Sequence, residues 1–306
     1  MEKAKEQFAE ILCKFNSSNI PVEKLEKLRI RKKLSHHEKR KWCLKVFCAA
    51  LFTYFILSKI HLINTYDCIL DMPSEIPRLF RSPEYCDICE GVSSIPKISN
   101  VTSEEFLEKY IKPNHPVVVA DGAREWPALK LFNFDFFKQL YSSVEMNRNK
   151  HRNCQFFPYK TEFESLQEVF NMSKDRAMLK PGEKPWYIGW NNCNDEAGRY
   201  LKKFYDKPYF FSGMVENIAL SWIFMGGPGH GAHMHVDNVR YPSWQAQLKG
   251  RKLWKLAPPP ECYYKCQQLE VAMEPGEIIV LDTNRWYHQT IVLPGEISIT
   301  IGSEFD

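Results

Sequence analysis

The sequence predicts a mainly β protein with flanking helices, preceded by a single N-terminal transmembrane helix. From about residue 215 onward, short apolar segments alternate with Gly- and Pro-containing turns, which is typical of a β-sandwich or barrel. A 22-residue, mostly apolar segment at 42–63 follows a basic N-terminal arm at 1–41. The chain has 306 residues, of which 44% are hydrophobic, enough for one large domain or two small ones.

The apolar segment at 42–63 predicts a membrane anchor. A bilayer span needs about 20 mainly apolar residues, and Lys45 and Lys59 near its ends can extend toward the headgroups. Its uninterrupted apolar part is only 13 residues long, so a buried helix of a globular fold is one alternative. A secretory signal peptide is the other, but 41 residues precede the segment and no cleavage site is evident.

The charges around this segment predict a type II orientation. Lys and Arg dominate residues 29–45, whereas acidic residues follow the segment. By the positive-inside rule the arm faces the cytosol, and the catalytic region lies in the endoplasmic reticulum or Golgi lumen, or outside the cell. Sequons at Asn100 and Asn171 then predict a glycoprotein. A net charge of +4 does not indicate nucleic-acid binding.

Seven of the ten cysteines lie beyond the apolar segment. In an oxidising compartment some of them should pair, and an odd number leaves at least one free or paired between chains. Cys86 and Cys89 have the spacing of a redox motif, but no thioredoxin-type strand and helix surrounds them. The sequence therefore predicts structural disulfides of open connectivity. Residues 64–95 are predicted to be a Cys- and Pro-containing stalk.

The predicted domain at 96–306 begins with helices and one buried strand. Thr102 or Ser103 is the expected N-cap of a helix, because glutamates occupy the following turn. A buried strand is predicted at 115–122 and a helix at 133–141. Later strands are predicted at 217–227, 229–237, 276–282 and 296–302, with a hairpin at 243–259 that turns at Lys249–Gly250.

The strand predicted at 229–237 carries His233, His235 and Asp237 at alternating positions, so their side chains should project from one face. His288 follows 51 residues after Asp237. Two histidines and one carboxylate can bind Fe(II) on one face and leave three coordination positions open. The H-x-D pattern arises often by chance, so its value depends on the sequence around it.

The surrounding sequence resembles the JmjC, cupin-like 2-oxoglutarate oxygenases. Residues 234–260 read MHVDNVRYPSWQAQLKGRKLWKLAPPP and are similar to the family's H-x-D, K-G-x-K turn and prolines. Residues 274–290, EPGEIIVLDTNRWYHQT, resemble its second signature, and residues 115–129, HPVVVADGAREWPAL, its entry strand. The resemblance covers about residues 96–306. It is nearest to the hydroxylases, including the asparaginyl hydroxylase that acts on hypoxia-inducible factor.

This resemblance implies a double-stranded β-helix (jelly-roll, cupin) core and a 2-oxoglutarate-dependent dioxygenase that uses Fe(II) and dioxygen. His235, Asp237 and His288 match the iron ligands and form the catalytic centre. Lys252 matches the lysine that pairs with the distal carboxylate of 2-oxoglutarate. Tyr187 falls where family members often hydrogen-bond that carboxylate.

Two positions depart from the family pattern. Ala232 occupies a position where some members have threonine, and Gly302 one where asparagine is often found. Part of the 2-oxoglutarate hydrogen-bond set is therefore missing or supplied by other residues. Asn238, Ser243 and Thr300 are the candidates.

Two classes of function follow from these observations. The first is a hydroxylase acting on a protein or peptide side chain in the secretory pathway. The second is a catalytically silent, membrane-anchored JmjC-like binding module, which the missing contacts would permit. Histone demethylation would need nuclear access, against which the predicted anchor and sequons argue. His233 lies beside the matched ligands and is expected to orient a ligand or face the substrate. Homodimerisation is left open.

Overall fold

The computed structural model describes residues 2–18, 21, 23–24, 41, 44–55, 83–143, 155–211 and 221–305. It divides into two compact units, Met1–Leu79 and Phe80–Asp306. In the first unit, helix α1 spans Glu2–Ser17, and residues 44–55 are helical.

The predicted membrane anchor at 42–63 is described only at residues 44–55, and its other residues lie outside the described part of the chain. Among the residues that can be assessed, no helix combines the length and the apolar character needed to cross a bilayer. The transmembrane part of the predicted fold therefore has no support from the structure.

The second unit consists of β-strands with short helices packed around them. The strands are β1 (Lys97–Ile98), β2 (Val117–Val119), β3 (Phe156–Phe157), β4 (Tyr187–Asn191), β5 (Trp222–Gly226), β6 (Ser243–Lys249), β7 (Lys252–Ala257), β8 (Leu269–Met273), β9 (Ile278–Leu281), β10 (Tyr287–Val292) and β11 (Ser298–Glu304). The helices are α2 (Ser103–Phe106), α3 (Ala128–Leu131), α4 (Phe134–Ser143), α5 (Leu166–Phe170), α6 (Lys174–Ala177) and α7 (Asp195–Leu201). A π-helical turn, Leu107–Ile111, extends α2, and 3-10 turns occur at Cys86–Ile88, Tyr209–Phe211 and Pro260–Cys262.

Two sheets face each other across an inner space. The larger sheet has the order β1-β2-β9-β6-β11-β5-β4-β3, and the smaller has the order β10-β7-β8. Strand β9 shows how they share side chains: Ile278 and Val280 pack into the core on the helical side. Ile279 and Leu281 pack against Trp254 and other residues of the smaller sheet. This two-residue alternation, expected for a strand covered on both faces, gives the layered β architecture that the sequence predicts.

Several predicted elements are confirmed. Thr102 is the N-cap of α2, and its side chain accepts a hydrogen bond from the Glu105 amide at 3.2 Å. The strand predicted at 115–122 is β2, and the helix predicted at 133–141 is α4. Strands β5, β9 and β11 lie within or across the segments predicted as 217–227, 276–282 and 296–302.

The hairpin predicted at 243–259 is wrong. Strand β6 pairs with β9 and β11, whereas β7 pairs with β8 and β10. Gly250 forms the corner between the two sheets with φ 63°, and a Cβ atom there would lie 2.5 Å from the Ile297 carbonyl oxygen. A glycine in the left-handed region lets the chain turn into the opposite sheet instead of folding back on its own.

The strand predicted at 229–237 is also wrong as a regular strand. The segment runs beside β10, but in the described residues its assigned pairing is limited to an isolated bridge between His235 and His288. The Thr290 amide donates to the Ala232 carbonyl at 3.0 Å, and the His288 amide donates to the His235 carbonyl at 2.8 Å. From Ala232 to His235 the chain advances three residues, whereas the paired part of β10, between His288 and Thr290, advances two. The extra residue interrupts the ladder as a β-bulge does.

Two disulfides attach the segment that precedes β1 to the connection between β7 and β8. Cys86 bonds to Cys262 and Cys89 bonds to Cys266, so both cysteines of the CDIC motif have structural partners. Cys193 is also disulfide-bonded, to a cysteine outside the described residues. Residues 83–95, which the sequence assigns to a stalk, therefore belong covalently and spatially to the second unit.

The contributions of the two neighbouring disulfides to stability should not be additive. Each closes a loop of about the same length, with sequence separations of 176 and 177. Chain-entropy arithmetic gives about 5 kcal/mol for the first closure but only about 2.5 kcal/mol for the second, which closes a small ring. We expect Cys86→Ser with Cys262→Ser to lower the free energy of unfolding by about 2.5 kcal/mol, and removal of both disulfides by about 7.5 kcal/mol.

Urea denaturation under non-reducing conditions measures these losses. Cys48→Ser, at an exposed free cysteine, is the matched control and should leave the midpoint unchanged. If removal of both disulfides lowered the free energy of unfolding only by the sum of the two single losses, the shared-loop explanation would be wrong.

Candidate metal centre

His235, Asp237 and His288 converge at one end of the space between the sheets. Their ligand atoms all lie within 4.8 Å of one another. Asp237 Oδ1 is 3.3 Å from His235 Nε2, and Asp237 Oδ2 is 3.8 Å from His288 Nε2. Strand β10 positions His288, while the bulged segment beside it carries the other two side chains. The structure thus brings together the three residues that the sequence nominates as metal ligands.

Backbone carbonyls set the orientation of both imidazole rings. His235 Nδ1 lies 2.6 Å from the His233 carbonyl oxygen, and His288 Nδ1 lies 3.1 Å from the Trp286 carbonyl oxygen. A proton on each Nδ1 makes these contacts hydrogen bonds and places each Nε2 on the side of its ring that faces Asp237. Metal-binding histidines usually have such an acceptor behind the ring. The donor set therefore fits a divalent cation.

The electrostatics of the three side chains are strongly coupled. Burial lowers the pKa of His288 to about 4, so this imidazole is neutral at physiological pH. Burial also opposes charge on His235, but the hydrogen bonds to Asp237 and to the His233 carbonyl, together with the charge of Asp237, outweigh burial and raise its pKa. For Asp237, burial would raise the pKa, but the hydrogen bond from His235 and the nearby His288 outweigh it. An ionised carboxylate beside a neutral imidazole is suited to binding a cation.

His233 does not project beside the ligands as a strand would require. Its side chain is exposed and lines the mouth of the cavity, with its ring centroid 5.3 Å from that of His235. Its contribution to the ligand set is the backbone carbonyl that orients His235. The predicted orienting role is thus carried by the main chain, and the side chain is free to face an incoming molecule.

Lys252 lies deeper in the same space and is fully buried. Its ammonium contacts the Tyr187 hydroxyl at 2.9 Å, the Thr300 hydroxyl at 3.0 Å and the Gln245 side-chain oxygen at 3.3 Å. Burial lowers the pKa of Lys252 to about 7. In the described residues no carboxylate is paired with it, and a buried ammonium without an anion is costly. This arrangement indicates a binding site for an anionic group.

Two residues of this site were missed by the sequence analysis. Gln245 on β6 faces inward because Trp244 and its alternate neighbours face the opposite core. Thr290 on β10 contacts Tyr187 through its side chain and accepts a hydrogen bond from the Ala232 amide at 3.0 Å. Strand alternation beside the H-x-D motif was the signal that could have identified both residues.

The two departures from the family pattern have local explanations. Gly302 pairs with Gln245, and a Cβ atom at 302 would lie 2.4 Å from the Trp244 carbonyl oxygen. A larger side chain there needs a backbone shift, and Gln245 supplies an amide from the neighbouring strand. At Ala232, the adjacent Thr290 supplies a hydroxyl.

Asn238 and Ser243 line the same cavity, but neither contacts Lys252. Asn238 is exposed near the mouth, and the Ser243 hydroxyl lies 3.3 Å from that of Thr283. Thr283 in turn hydrogen-bonds the Asp237 side chain. Of the three candidates for replacing the missing contacts, Thr300 is therefore the one that hydrogen-bonds Lys252.

The cavity beside the triad has a volume of about 470 Å³, and it is also lined by Tyr187 and Gln245, which contact Lys252. Its aromatic walls include Phe157, Tyr159 and Trp222, and the rings of Phe157 and Trp222 stack with centroids 5.8 Å apart. Such a volume accommodates a small molecule together with one side chain of a larger one.

Comparison with known proteins places this fold in a family. A family model described as a cupin-like domain matches residues 102–266, and the chain belongs to that family. The arginine-specific demethylase JMJ20 of Arabidopsis thaliana is 26% identical over 270 residues, covering 68% of this chain and 57% of that protein. The 2-oxoglutarate and iron-dependent oxygenase JMJD4 of Gallus gallus is 24% identical over 258 residues, covering 68% of this chain and 59% of that protein.

A solved structure, that of the ribosomal oxygenase YcfD from Escherichia coli with cobalt and 2-oxoglutarate, is 17% identical. The alignment covers 68% of this chain and 52% of the YcfD chain, with a TM-score of 0.43. The chain thus spans somewhat more than half the length of the proteins it matches. The relatives named are JmjC proteins, so the predicted JmjC, cupin-like resemblance is confirmed. The closer likeness to the asparaginyl hydroxylase of hypoxia-inducible factor stays a prediction.

Replacement of a ligand should abolish metal binding while replacement of its neighbour should not. We expect His235→Ala and Asp237→Ala to weaken Mn(II) affinity by more than about 100-fold, since loss of an outer-shell partner alone costs about 10–100-fold. His233→Ala is the matched control, because the carbonyl that orients His235 belongs to the main chain. Electron paramagnetic resonance of free Mn(II) measures binding. Equal loss in all three variants would exclude this ligand assignment.

Proposed function

We propose that this protein is an Fe(II)- and 2-oxoglutarate-dependent oxygenase that hydroxylates a protein side chain. The observation that carries the proposal is Lys252. Its buried ammonium faces neutral oxygens within the described residues, and two of the side chains it contacts, Tyr187 and Gln245, line the cavity that also holds three convergent metal ligands. A small acid that binds a metal at one end and an ammonium at the other satisfies both requirements, and 2-oxoglutarate has this structure.

Each described residue has a defined task in this proposal. His235, Asp237 and His288 would hold Fe(II), and the iron would supply dioxygen activation coupled to oxidative decarboxylation of 2-oxoglutarate. Lys252 would neutralise the distal carboxylate, while Tyr187 and Thr300 fix the direction of its ammonium. These residues are buried, so they would also keep water away from the reacting end of the co-substrate.

The relatives support this class of activity and leave the target residue open. JMJD4 is named an iron- and 2-oxoglutarate-dependent oxygenase, and JMJ20 an arginine-specific demethylase. Both activities begin with oxidation of a C–H bond and need the same metal and co-substrate sites. We favour a protein or peptide substrate, because the exposed His233 and the aromatic rim leave the cavity open at its mouth.

A silent binding module is the less favoured alternative. It was suggested by Ala232 and Gly302, but Thr290 and Gln245 place polar groups next to these positions. The metal ligands and the lysine are also present together, which a module without a co-substrate would not require.

We further propose that the second unit lies in an oxidising compartment, as a type II membrane protein would place it. The disulfides Cys86–Cys262 and Cys89–Cys266 support this location, since such bonds rarely persist in the cytosol. Both sequon asparagines, Asn100 and Asn171, are exposed. In the predicted anchor, the apolar side chains described within 44–55 are exposed as well, including Phe47 and Phe52.

Glycosidase treatment tests this location. The protein expressed in a eukaryotic host should lose mass on removal of N-glycans, and Asn100→Gln with Asn171→Gln should abolish that loss. Carbonate extraction should leave the wild-type protein in the membrane pellet. A glycan-free protein in the soluble fraction would contradict the proposal.

An anaerobic titration tests the enzymatic proposal without knowledge of the substrate. Fe(II) followed by 2-oxoglutarate should produce the visible charge-transfer band of the chelate, and Asp237→Ala should lack it. Iron binding without the band would favour the silent module.

The affinity for 2-oxoglutarate should fall as the pH rises above about 7. Lys252 in the free protein has a pKa of about 7, and a bound carboxylate would hold its proton to higher pH. Below this pH the lysine is already protonated and affinity stays constant. Above it, binding must take up a proton, and affinity decreases by up to about tenfold per pH unit.

The same chelate band, titrated between pH 6.5 and 9, measures this dependence. Lys252→Arg is the control, because a guanidinium stays charged throughout this range and should bind with a flat pH profile. A wild-type profile as flat as that of Lys252→Arg would contradict the coupling of co-substrate binding to protonation of the lysine.

A further inference from the structure

Tyr159 occupies a turn in a conformation that tyrosine rarely adopts. The turn spans residues 158–161, and the Thr161 amide donates to the Pro158 carbonyl oxygen at 3.0 Å. Tyr159 has φ 48°, in the left-handed region. Glycine or asparagine is favoured in such a position because a Cβ atom there is strained. Strain of this kind persists where the side chain is held by its surroundings, and it concentrates at functional sites.

The ring of Tyr159 is held on two sides inside the cavity of the metal centre. Its centroid lies 5.1 Å from that of Tyr187 and 6.3 Å from that of Phe157. The Tyr159 ring also lies close to Gly189 on β4, where a Cβ atom would lie 3.4 Å from it. The strained turn therefore serves to direct this one side chain into the cavity.

The hydroxyl of Tyr159 has no hydrogen-bond partner among the residues that the structure describes. Burial raises its pKa above the usual range, and the nearby Tyr187 and Asp237 raise it further. The phenol thus stays protonated and keeps its hydrogen available to donate. An aromatic hydroxyl at a binding surface usually finds a partner, and here the cavity is the side from which one can come.

The position of this donor relates it to both ends of the proposed co-substrate site. Tyr159 packs on Tyr187, whose hydroxyl contacts Lys252, and it lines the same cavity as Asp237 of the metal triad. A molecule that spans from the lysine to the triad passes within this neighbourhood.

We propose that Tyr159 binds 2-oxoglutarate directly, by donating its phenolic hydrogen bond to an oxygen of the co-substrate. This inference rests on the proposed function and adds one binding residue to it. The tyrosine would add a donor from a turn to the polar groups that Gln245 and Thr290 supply from the strands.

Tyr159→Phe tests the proposal because it keeps the ring and removes only the donor. Anaerobic titration of the Fe(II) protein with 2-oxoglutarate, followed by the chelate band, should show a dissociation constant raised about tenfold or more, as for a hydrogen bond to a charged group. The Mn(II) affinity and the melting temperature should match those of the wild type. Tyr200→Phe, at an exposed tyrosine on α7, is the matched control and should change none of these values.

The outcomes separate this inference from the proposed function. If the wild-type protein forms the chelate and Tyr159→Phe binds 2-oxoglutarate equally well, Tyr159 is a wall of the cavity and the inference is wrong. If the wild-type protein forms no chelate, the proposed function fails and the inference falls with it. A lowered melting temperature or Mn(II) affinity in Tyr159→Phe, in proportion to the lost 2-oxoglutarate affinity, would assign the tyrosine a structural role and overturn the inference.

Discussion

The burial of Lys252 is the constraint on which the rest of the site depends. An ammonium removed from water needs compensation, and three neutral oxygens supply only part of it. Its pKa, lowered to about 7, shows that the protein alone stabilises the charge poorly. A bound carboxylate would supply the missing stabilisation. A bound anion would therefore stabilise the charged form of Lys252.

The two-sheet architecture creates this environment by placing polar residues on surfaces that face each other. On β7, the side chain of Lys252 lies on the same face of the strand as those of Trp254 and Leu256, which belong to the core between the sheets. On β11, Thr300 alternates with Ile299 and Ile301, which pack on the opposite, helical side. Lys252 and Thr300 thus meet in the inner space, where Trp254 stacks on the imidazole of His288 with ring centroids 5.8 Å apart.

The sequence predicted the chemistry of the site better than the course of the chain. Local patterns identify β6 and β7 as strands, but their partners lie tens of residues away, so the sheet change at Gly250 resembles a hairpin turn. The disulfide partners of Cys86 and Cys89 could not be derived either, because cysteine number restricts connectivity without determining it. Tyr159 was missed since it lies outside any regular strand, in a turn that no periodic pattern marks.

Strand register explains why a short dicarboxylate suits the two anchoring points. His288 and Val292 are four residues apart on β10, and Val292 pairs with Lys252 on β7. A strand rise of about 3.3 Å per residue separates these positions by about 13 Å along the sheet. The lysine and histidine side chains reduce this span, because both project into the space between the sheets. A chain of a few carbons with an acid group at each end would fill the remaining gap, whereas a monocarboxylate would leave either the metal or the ammonium without its partner.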